Sequence, residues 1–352
     1  MSSVIDLPSL YRSFLPGLER LATGDLPRQR DVLKSATVLV REAQDTPGLN
    51  RLIFDAQGFG GSSNWALAMA GQFLSWRKDA ETLGSYGHLS AMLKLACAHF
   101  NVDPAHPLLP AAAMAAVIGA VPNDLPFHSE HHNREVVAFA LALTAQQNID
   151  AAFDDPQTQA LEIFIAACIH DFAHDGHGNA RHGQHAPMRL EQSALDHALP
   201  FLKIAYVPDP SWERVCVMVL STDVSKPGAA YTSPAEWMRM AYQHTGNDRE
   251  CPPFLAPLFD DSSLAMQAAL LEDADLAVSG GTPYEFSRRM TALIAQETGV
   301  LAPSPETLIG FIDHICHGSF MTPAAKTLFG DNMKRLYAAA KEESADTIYQ
   351  WS

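Results

Sequence analysis

Apolar residues recur at helical spacing along most of this chain, and alternating runs rich in β-branched residues are nearly absent from it. Prolines and glycines divide the pattern into segments of helical length. Helices patterned in this way bury their apolar faces against one another, so we predict an all-α fold. The predicted helices, with ends uncertain by about 2–4 residues, cover about 8–22, 30–46, 63–79, 88–100, 110–121, 130–147, 157–173, 189–205, 211–223, 233–245, 262–273, 283–297, 305–316 and 323–342.

Composition excludes several classes of function. The 352 residues are 47% hydrophobic with a formal net charge of −16, so nucleic acid and anionic membrane surfaces would repel the chain. A small phosphate-bearing substrate stays compatible, because a bound metal can supply positive charge. The five cysteines contain no CxxC pair, which favours free thiols in a reducing compartment. With no signal-peptide pattern and no run long enough to cross a bilayer, we expect a cytoplasmic protein.

A glycine-rich segment interrupts the helical pattern between residues 45 and 64. Its sequence GFGGSSN at 58–64 lacks the Lys-Ser/Thr of a P-loop, and no strand is predicted before it. We therefore interpret it as a turn leading to a capped helix, with a phosphate-binding loop as the less favoured alternative.

Histidines are concentrated in one part of the chain, since nine of the fifteen lie between residues 128 and 197. His128 and His132 are four residues apart, as are His170 and His174, so on a helix each pair would share one face. This spacing predicts that imidazoles from two helices are directed into the same part of the core.

The apolar run LEIFIAACI at 161–169 leads directly to His170 and Asp171. A helix that enters the core with this run brings the imidazole and the carboxylate to its buried end, where charged groups need partners. Together with a histidine from another helix, they offer suitable ligands for one or two divalent metals. We therefore predict a metal site at this end of the helix.

Five short segments share their residues and their order with one set of signature motifs. PFHSEHHNREV (126–136) and IHDFAHDGHGN (169–179) are similar to PYHNxxHAxDV and HDxDHPGxxN. LSTDVSK (220–226), DADLAV (273–278) and GFIDHICH (310–317) are similar to ATDMSK, CADLSN and GFIDYIVH. These motifs belong to class I cyclic nucleotide phosphodiesterases, a branch of the HD-domain metallophosphohydrolases, which the chain resembles over roughly 125–320. The resemblance implies a catalytic domain at 101–352, with residues 1–100 forming extra helices packed on it.

The resemblance also implies roles for individual residues. It places the acid that protonates the leaving group on His128, and on His174 a histidine that hydrogen-bonds a water on the metal. The implied ligands of two divalent ions (Zn, Mg, Mn or Fe) are His132, His170, Asp171, which bridges the two ions, and Asp275. Supporting roles are implied for Asn179, for Asp223 and for Asp196, near which a family glutamate falls. A solvated or capping aspartate is an equal alternative for Asp223, and a plain helix-surface aspartate is an equal alternative for Asp196.

The implied chemistry is hydrolysis of a 3′,5′-cyclic nucleotide to the 5′-monophosphate. A phosphodiester resists attack because its oxygens are anionic, and two cations would neutralise this charge and activate the water between them. The departing alkoxide needs a proton, which a histidine such as His128 can give near neutral pH.

The chain departs from the motifs where the family recognises the base. Leu308 stands where the family has the glutamine that hydrogen-bonds the purine edge, although Phe311, expected to stack on the base, is retained. Val278, Ala173 and Asp175 also replace family residues. Because a site that lacks one amide discriminates less well, we expect weak selectivity between cAMP and cGMP.

Several alternatives stay open at this stage. Within hydrolases, the substrate is either the cyclic nucleotide or another small phosphoester or nucleotide. An HD-domain di-iron oxygenase would need further histidine ligands, for which only His197 and His244 are available. A catalytically silent cyclic-nucleotide binder would be expected to lose a ligand or the acid, and none is lost. His177, His182 and His185 are interpreted as solvated rather than as a further metal site, and the sequence does not decide whether the chain forms a homodimer.

Overall fold

The computed structural model describes residues 26–43, 48–83, 86–150, 153–228, 230–246, 250–299 and 304–349. The helix predicted at 8–22 lies outside these residues. Within them the protein is built from helices and one small hairpin, which confirms the all-α prediction. The helices are α1 (Leu26–Glu42), α2 (Leu49–Phe54), α3 (Ser62–Leu83), α4 (Tyr86–His99), α5 (Leu109–Ile118), α6 (Glu130–Asp150), α7 (Pro156–Ile169), α8 (Arg189–Ile204), α9 (Asp209–Leu220), α10 (Pro234–Tyr242), α11 (Pro257–Asp260), α12 (Ser262–Gly280), α13 (Tyr284–Thr298), α14 (Pro305–Gly310) and α15 (Pro323–Tyr349). The hairpin pairs β1 (Ala180–Arg181) with β2 (Gln184–His185) in antiparallel register.

Local capping chemistry fixes many of the helix ends. The side chain of Asp155 accepts a hydrogen bond from the backbone N–H of Thr158, and α7 then begins with a proline. Ser233 and Glu236 form a reciprocal capping box at the start of α10. At the other end, α13 stops at Gly299, whose φ of 72° lies in the left-handed region that favours glycine.

One expected feature near the histidines was wrong. The helix expected to run to residue 173 ends at Ile169, and Ala173 adopts a left-handed φ of 60°, so His170 and His174 do not share a helix face. As predicted, α6 begins at Glu130, and His128 therefore lies in the segment that precedes the helix. Packing between elements instead brings the ring of His128 to 4.0 Å from that of His174, and the ring of His132 to 5.6 Å from that of His170.

Helices α6, α7 and α12 pack against one another at the centre of the molecule. Residues 132–147 of α6 are buried on all sides, although polar side chains are among them. A helix buried all round can carry polar groups only where partners or a ligand satisfy them. This packing places His132 of α6 opposite Asp275 of α12.

The N-terminal helices share this core. Trp65 of α3 lies with its ring 5.9 Å from that of Phe139 in α6 and 5.3 Å from that of Phe329 in α15. The glycine-rich segment before it forms a 3₁₀ turn at Ala56–Phe59, and Gly60 and Gly61 have φ values of 74° and 137°. The prediction of a turn leading to a helix is therefore confirmed. Among the described helices, none combines the length and the apolar character that crossing a bilayer requires.

Candidate active site

Four predicted metal ligands meet in the core from three different elements. Nε2 of His132 lies 3.0 Å from Oδ1 of Asp275 and 3.5 Å from Oδ2 of Asp171. Nε2 of His170 lies 3.2 Å from the same Asp171 oxygen. The candidate ligand atoms of His132, His170 and Asp275 all lie within 4.8 Å of one another. The structure thus brings together the ligand set that the motifs imply.

The donor atoms of this group fit a divalent metal. Nδ1 of His170 lies 2.9 Å from the backbone carbonyl oxygen of Ala167, which fixes the proton on Nδ1 and leaves the Nε2 lone pair for a cation. Nε2 itself is buried and has no hydrogen-bond partner in the described residues, despite its closeness to Asp171. Imidazole and carboxylate donors directed at a common space suit zinc, iron or manganese.

The charged side chains in this group shift one another's pKa values. Burial by itself raises the pKa of Asp171, but His170 and His128 outweigh it and hold that pKa well below its usual range. Burial likewise disfavours the protonated form of His170, yet Asp171 and then Asp275 raise its pKa to about 9. Without metal, His170 therefore carries a proton near neutral pH, and a bound cation takes the place of that proton.

Beside the metal group, His128 forms a close ion pair with Glu297 of α13. Nδ1 of His128 lies 2.5 Å from Oε1 of Glu297, whose side chain is only 3% exposed. The other carboxylate oxygen accepts the backbone N–H groups of Phe127 and His128 at 3.0 and 3.1 Å. These three hydrogen bonds fix the imidazole against its own backbone.

The neighbouring carboxylates favour the protonated form of His128. Burial by itself lowers the pKa of His128, but Asp171 and Glu297 outweigh it and raise that pKa. For Glu297, burial favours the neutral acid, while the hydrogen bond from His128 lowers its pKa to about 2. An imidazolium beside a metal group has the properties of a general acid.

Sequence reasoning did not identify Glu297. It lies 169 residues from its partner and outside every motif. The single available signal is its position in the last turn of α13, where a carboxylate opposes the helix dipole and so needs a partner elsewhere.

A second group of possible ligand atoms consists of His128, His174 and Glu297. Its atoms are already satisfied, because Glu297 accepts from His128, and Nδ1 of His174 accepts the backbone N–H of Gly176 at 3.0 Å. The two imidazoles stack with centroids 4.0 Å apart. Burial, assisted by the charge on His128, lowers the pKa of His174 to about 4. The extra proton is therefore favoured on His128 rather than on His174, and the geometry favours an acid over a second metal-binding group.

The predicted supporting residues Asn179 and Asp223 organise the loop that leads into α8. Oδ1 of Asn179 accepts the N–H of Leu190, and the buried Asp223 accepts the N–H groups of Met188 and Ser225, each at 2.8 Å. Both side chains accept hydrogen bonds from backbone N–H groups, so their role is to position the loop before α8.

Asp196 is not brought to the site. It is exposed on α8, where it accepts a hydrogen bond from Gln192. Glu191 faces inward instead, and Asn179 donates to it. Burial, followed by the charge of Asp223, raises the pKa of Glu191 to about 8, and Asp171 acts in the same direction. Residues five apart on a helix point to different sides, which explains why the acidic residue near the metal group is Glu191 rather than Asp196.

The residues expected to contact a base lie on α14 and the turn that follows it. Leu308 is only 2% exposed and belongs to the core. Phe311 begins a π-helical turn, Phe311–Ile315, and packs closely on Gly280: a Cβ atom added to Gly280 would lie 3.2 Å from the Phe311 ring.

His197 and His244, the additional ligands that an oxygenase would require, are exposed and belong to neither ligand group.

Comparison of sequences matches the chain to no family model and to no curated protein. Comparison of structures finds the phosphodiesterase domain of the RhoPDE fusion protein from the choanoflagellate Salpingoeca rosetta, with a TM-score of 0.53, 19% identity, and coverage of 78% of this chain and 96% of that one. A second structure, the phosphodiesterase domain of Salpingoeca rosetta rhodopsin phosphodiesterase, has a TM-score of 0.55 and 21% identity, with coverage of 79% of this chain and 94% of that one. The structure of LmjPDEB1 in complex with IBMX has a TM-score of 0.51 and 15% identity, with coverage of 76% of this chain and 90% of that one. The chain therefore has the fold of a phosphodiesterase catalytic domain, as its five motifs imply.

Proposed function

We propose that this protein is a metal-dependent phosphodiesterase that hydrolyses a 3′,5′-cyclic nucleotide to the 5′-monophosphate. The observation that carries the proposal is the convergence of the metal-ligand group, formed by His132, His170, Asp171 and Asp275, beside His128, which is paired with Glu297. Similarity in fold to solved phosphodiesterase domains supports the same reaction class.

The side chains of His132, His170, Asp171 and Asp275 would hold two divalent ions. Such ions supply positive charge to the phosphodiester oxygens and lower the pKa of water. Within the chain, the ligands His132 and His170 are buried, and the lower local dielectric constant strengthens these interactions. We also propose that the ions are Zn²⁺, Mg²⁺, Mn²⁺ or Fe²⁺, that the substrate is a small phosphoester, and that the protein acts in the cytoplasm, either alone or as a homodimer.

His128 would donate a proton to the leaving group. Its Nδ1 donates to Glu297, so Nε2 is the nitrogen that can give its proton to the departing O3′. When water adds to phosphorus and the P–O3′ bond breaks, that proton prevents release of a free alkoxide. Glu297 stabilises the imidazolium before the transfer and fixes the ring orientation.

A substrate panel tests this proposal. Purified protein is assayed with cAMP, cGMP, bis(p-nitrophenyl) phosphate and phosphomonoesters, each with added Mn²⁺, Mg²⁺, Zn²⁺ or Fe²⁺. We expect turnover of at least one cyclic nucleotide, and none with Asp171→Asn. Good turnover of another phosphoester without any cyclic nucleotide turnover would assign the protein to the alternative hydrolase class. Oxygen consumption with iron, without hydrolysis, would overturn the proposal.

A further inference from the structure

Two loops carry His128 and the imidazole that stacks on it. The acid loop, residues 123–128, precedes α6 and ends at His128, and the partner loop, residues 170–176, follows α7 and contains His174. The two rings lie with centroids 4.0 Å apart and planes 15° from parallel. Because each ring comes from a loop, the stack depends on how firmly the two loops are held together.

Asn123 joins these loops through its side-chain amide. Its Nδ2 donates to the backbone carbonyl oxygen of His128 and to that of His174, each at 3.1 Å. An amide NH₂ group has two N–H bonds to donate, so both are used here. Within the described residues, no other hydrogen bond connects the acid loop with the partner loop.

The rest of Asn123 is held in place as well. Its Oδ1 accepts the backbone N–H of Leu125, and its own backbone N–H donates to Oε2 of Glu130, each at 3.2 Å. Glu130 is only 8% exposed and begins α6, the helix that carries the ligand His132. Asn123 is therefore anchored to a helix of the core while its amide holds both loops.

Packing between the loops depends on the same residue. A Cβ atom added to Gly176 would lie 2.8 Å from Cδ2 of Leu125, so the partner loop approaches Leu125 as closely as a glycine allows. Leu125 is itself held by Oδ1 of Asn123, and the N–H of Gly176 donates to Nδ1 of His174. Loss of the Asn123 side chain would thus weaken both the direct link between the loops and the contact beside it.

The stack restrains the acid from a second direction. Glu297 holds Nδ1 of His128 from α13, and the ring of His174 covers one face of the same imidazole. Proton transfer requires the donor to be aligned with the departing oxygen, and small misplacements of reacting groups slow a reaction strongly. A residue that fixes the stack therefore acts on the rate through His128.

We propose that Asn123 is a positioning residue for the acid: its amide fixes the partner loop against the acid loop and so holds His128 in the orientation from which it donates its proton. The inference rests on the proposed phosphodiesterase function and adds a residue to that site. Asn123 lies three residues before the motif at 126–136, so the resemblance assigns it no role.

The test compares Asn123→Ala and Asn123→Asp with the wild type on a cyclic nucleotide and on bis(p-nitrophenyl) phosphate. Aspartate keeps the shape and the acceptor for Leu125 but has no N–H for the two carbonyl groups. We expect each variant to lose about tenfold or more in kcat on the cyclic nucleotide, with KM changed less than about twofold. Turnover of the aryl diester, whose leaving group needs no proton, should fall less than about threefold, and metal content should not change.

Asn332→Ala is the matched control for Asn123→Ala. Nδ2 of Asn332 also donates to a backbone carbonyl oxygen, that of Gly281 at 3.0 Å, and Asn332 belongs to neither ligand group. This variant removes a bond of the same kind and should keep the wild-type ratio of the two rates. An equal loss on both substrates in Asn123→Ala, or a ratio of rates no different from that of Asn332→Ala, would overturn the inference.

A measurement that is independent of turnover addresses the same link. Rings 4.0 Å apart should give a nuclear Overhauser effect between the protons of His128 and His174 in protein with labelled histidines. The effect should be present in the wild type and in Asn332→Ala, and lost in both Asn123 variants. If no diester turns over, the proposed function fails, and this measurement still decides whether Asn123 holds the stack. An unchanged effect in both Asn123 variants would overturn the inference.

Discussion

Replacing Glu297 by glutamine should slow hydrolysis of a cyclic nucleotide without removing the metals. The change preserves shape but puts a neutral amide in place of the charged acceptor 2.5 Å from Nδ1 of His128. A hydrogen bond to a buried charged group contributes about 1.5–3 kcal/mol. At about 1.4 kcal/mol per factor of ten, the protonated fraction of His128 above its pKa should fall about 10- to 150-fold, and kcat with it.

The sign of the pH effect follows from the cause of the pKa shift. Asp171 and Glu297 outweigh burial and raise the pKa of His128, so wild-type activity is retained up to that raised pKa and declines above it. Removal of the Glu297 charge lowers the pKa, and the alkaline decline of kcat should therefore move to lower pH. Measurement of kcat against pH for both proteins shows the shift directly.

The assay pairs a cyclic nucleotide with bis(p-nitrophenyl) phosphate. A p-nitrophenolate group departs without a proton, so on this substrate Glu297→Gln and His128→Ala should lose less than about threefold. Glu162→Gln is the matched control, because it also neutralises a buried carboxylate, 2.9 Å from Arg214, at an ion pair outside both ligand groups. An equal loss on both substrates would refute the role of His128 as the acid, and a loss of bound metal would make it a ligand.

Three further predictions concern the metal-ligand group and the stability of the fold. Asp171→Ala and Asp275→Ala should lose bound metal and essentially all turnover, so full metal content and activity in Asp275→Ala, by metal analysis and assay, would exclude that ligand. Asp171 and Asp275 outweigh burial and raise the pKa of His170 to about 9, so metal binding should release a proton at pH 7, and the affinity for metal should rise with pH up to about 9. Calorimetry in buffers of different ionisation enthalpy measures the released proton. An affinity for metal that is independent of pH over that range would count against the prediction. Arg77→Met should cost about 3–5 kcal/mol in urea unfolding, because it leaves Glu135, 1% exposed and 2.7 Å away, without its partner; a loss below about 1 kcal/mol would show that the pair contributes little.

The helix boundaries that could be predicted from sequence are those set by local chemistry. Asp155 with a following proline, and Ser233 with Glu236, are caps that act within four residues. The end of α7 at Ile169 has no such signal, because the next glycine comes seven residues later. Ala173, an exposed residue, adopts a left-handed φ of 60°, which its residue type does not predict, since that region favours glycine.

The same distinction applies to the site. The metal ligands could be identified because each lies in a short motif whose neighbours support it. Glu297 could not, since its contact with His128 depends on how α13 packs against the segment before α6. Asp196 lies exposed on α8, which agrees with the alternative of a plain helix-surface aspartate, and the inward position of Glu191 depends on a helix register that hydrogen bonds of Asn179 and Asp223 help to fix.

The most direct test of the central claim is turnover of a cyclic nucleotide before chelation, after chelation and after stoichiometric return of one metal at a time. The account predicts that chelation abolishes hydrolysis and that at least one of Mn²⁺, Mg²⁺, Zn²⁺ and Fe²⁺ restores it in the wild type but not in Asp171→Asn, because that variant lacks the carboxylate that lies beside both His132 and His170. Hydrolysis that survives chelation and persists in Asp171→Asn, or no hydrolysis of any phosphodiester with any of these metals, would contradict it.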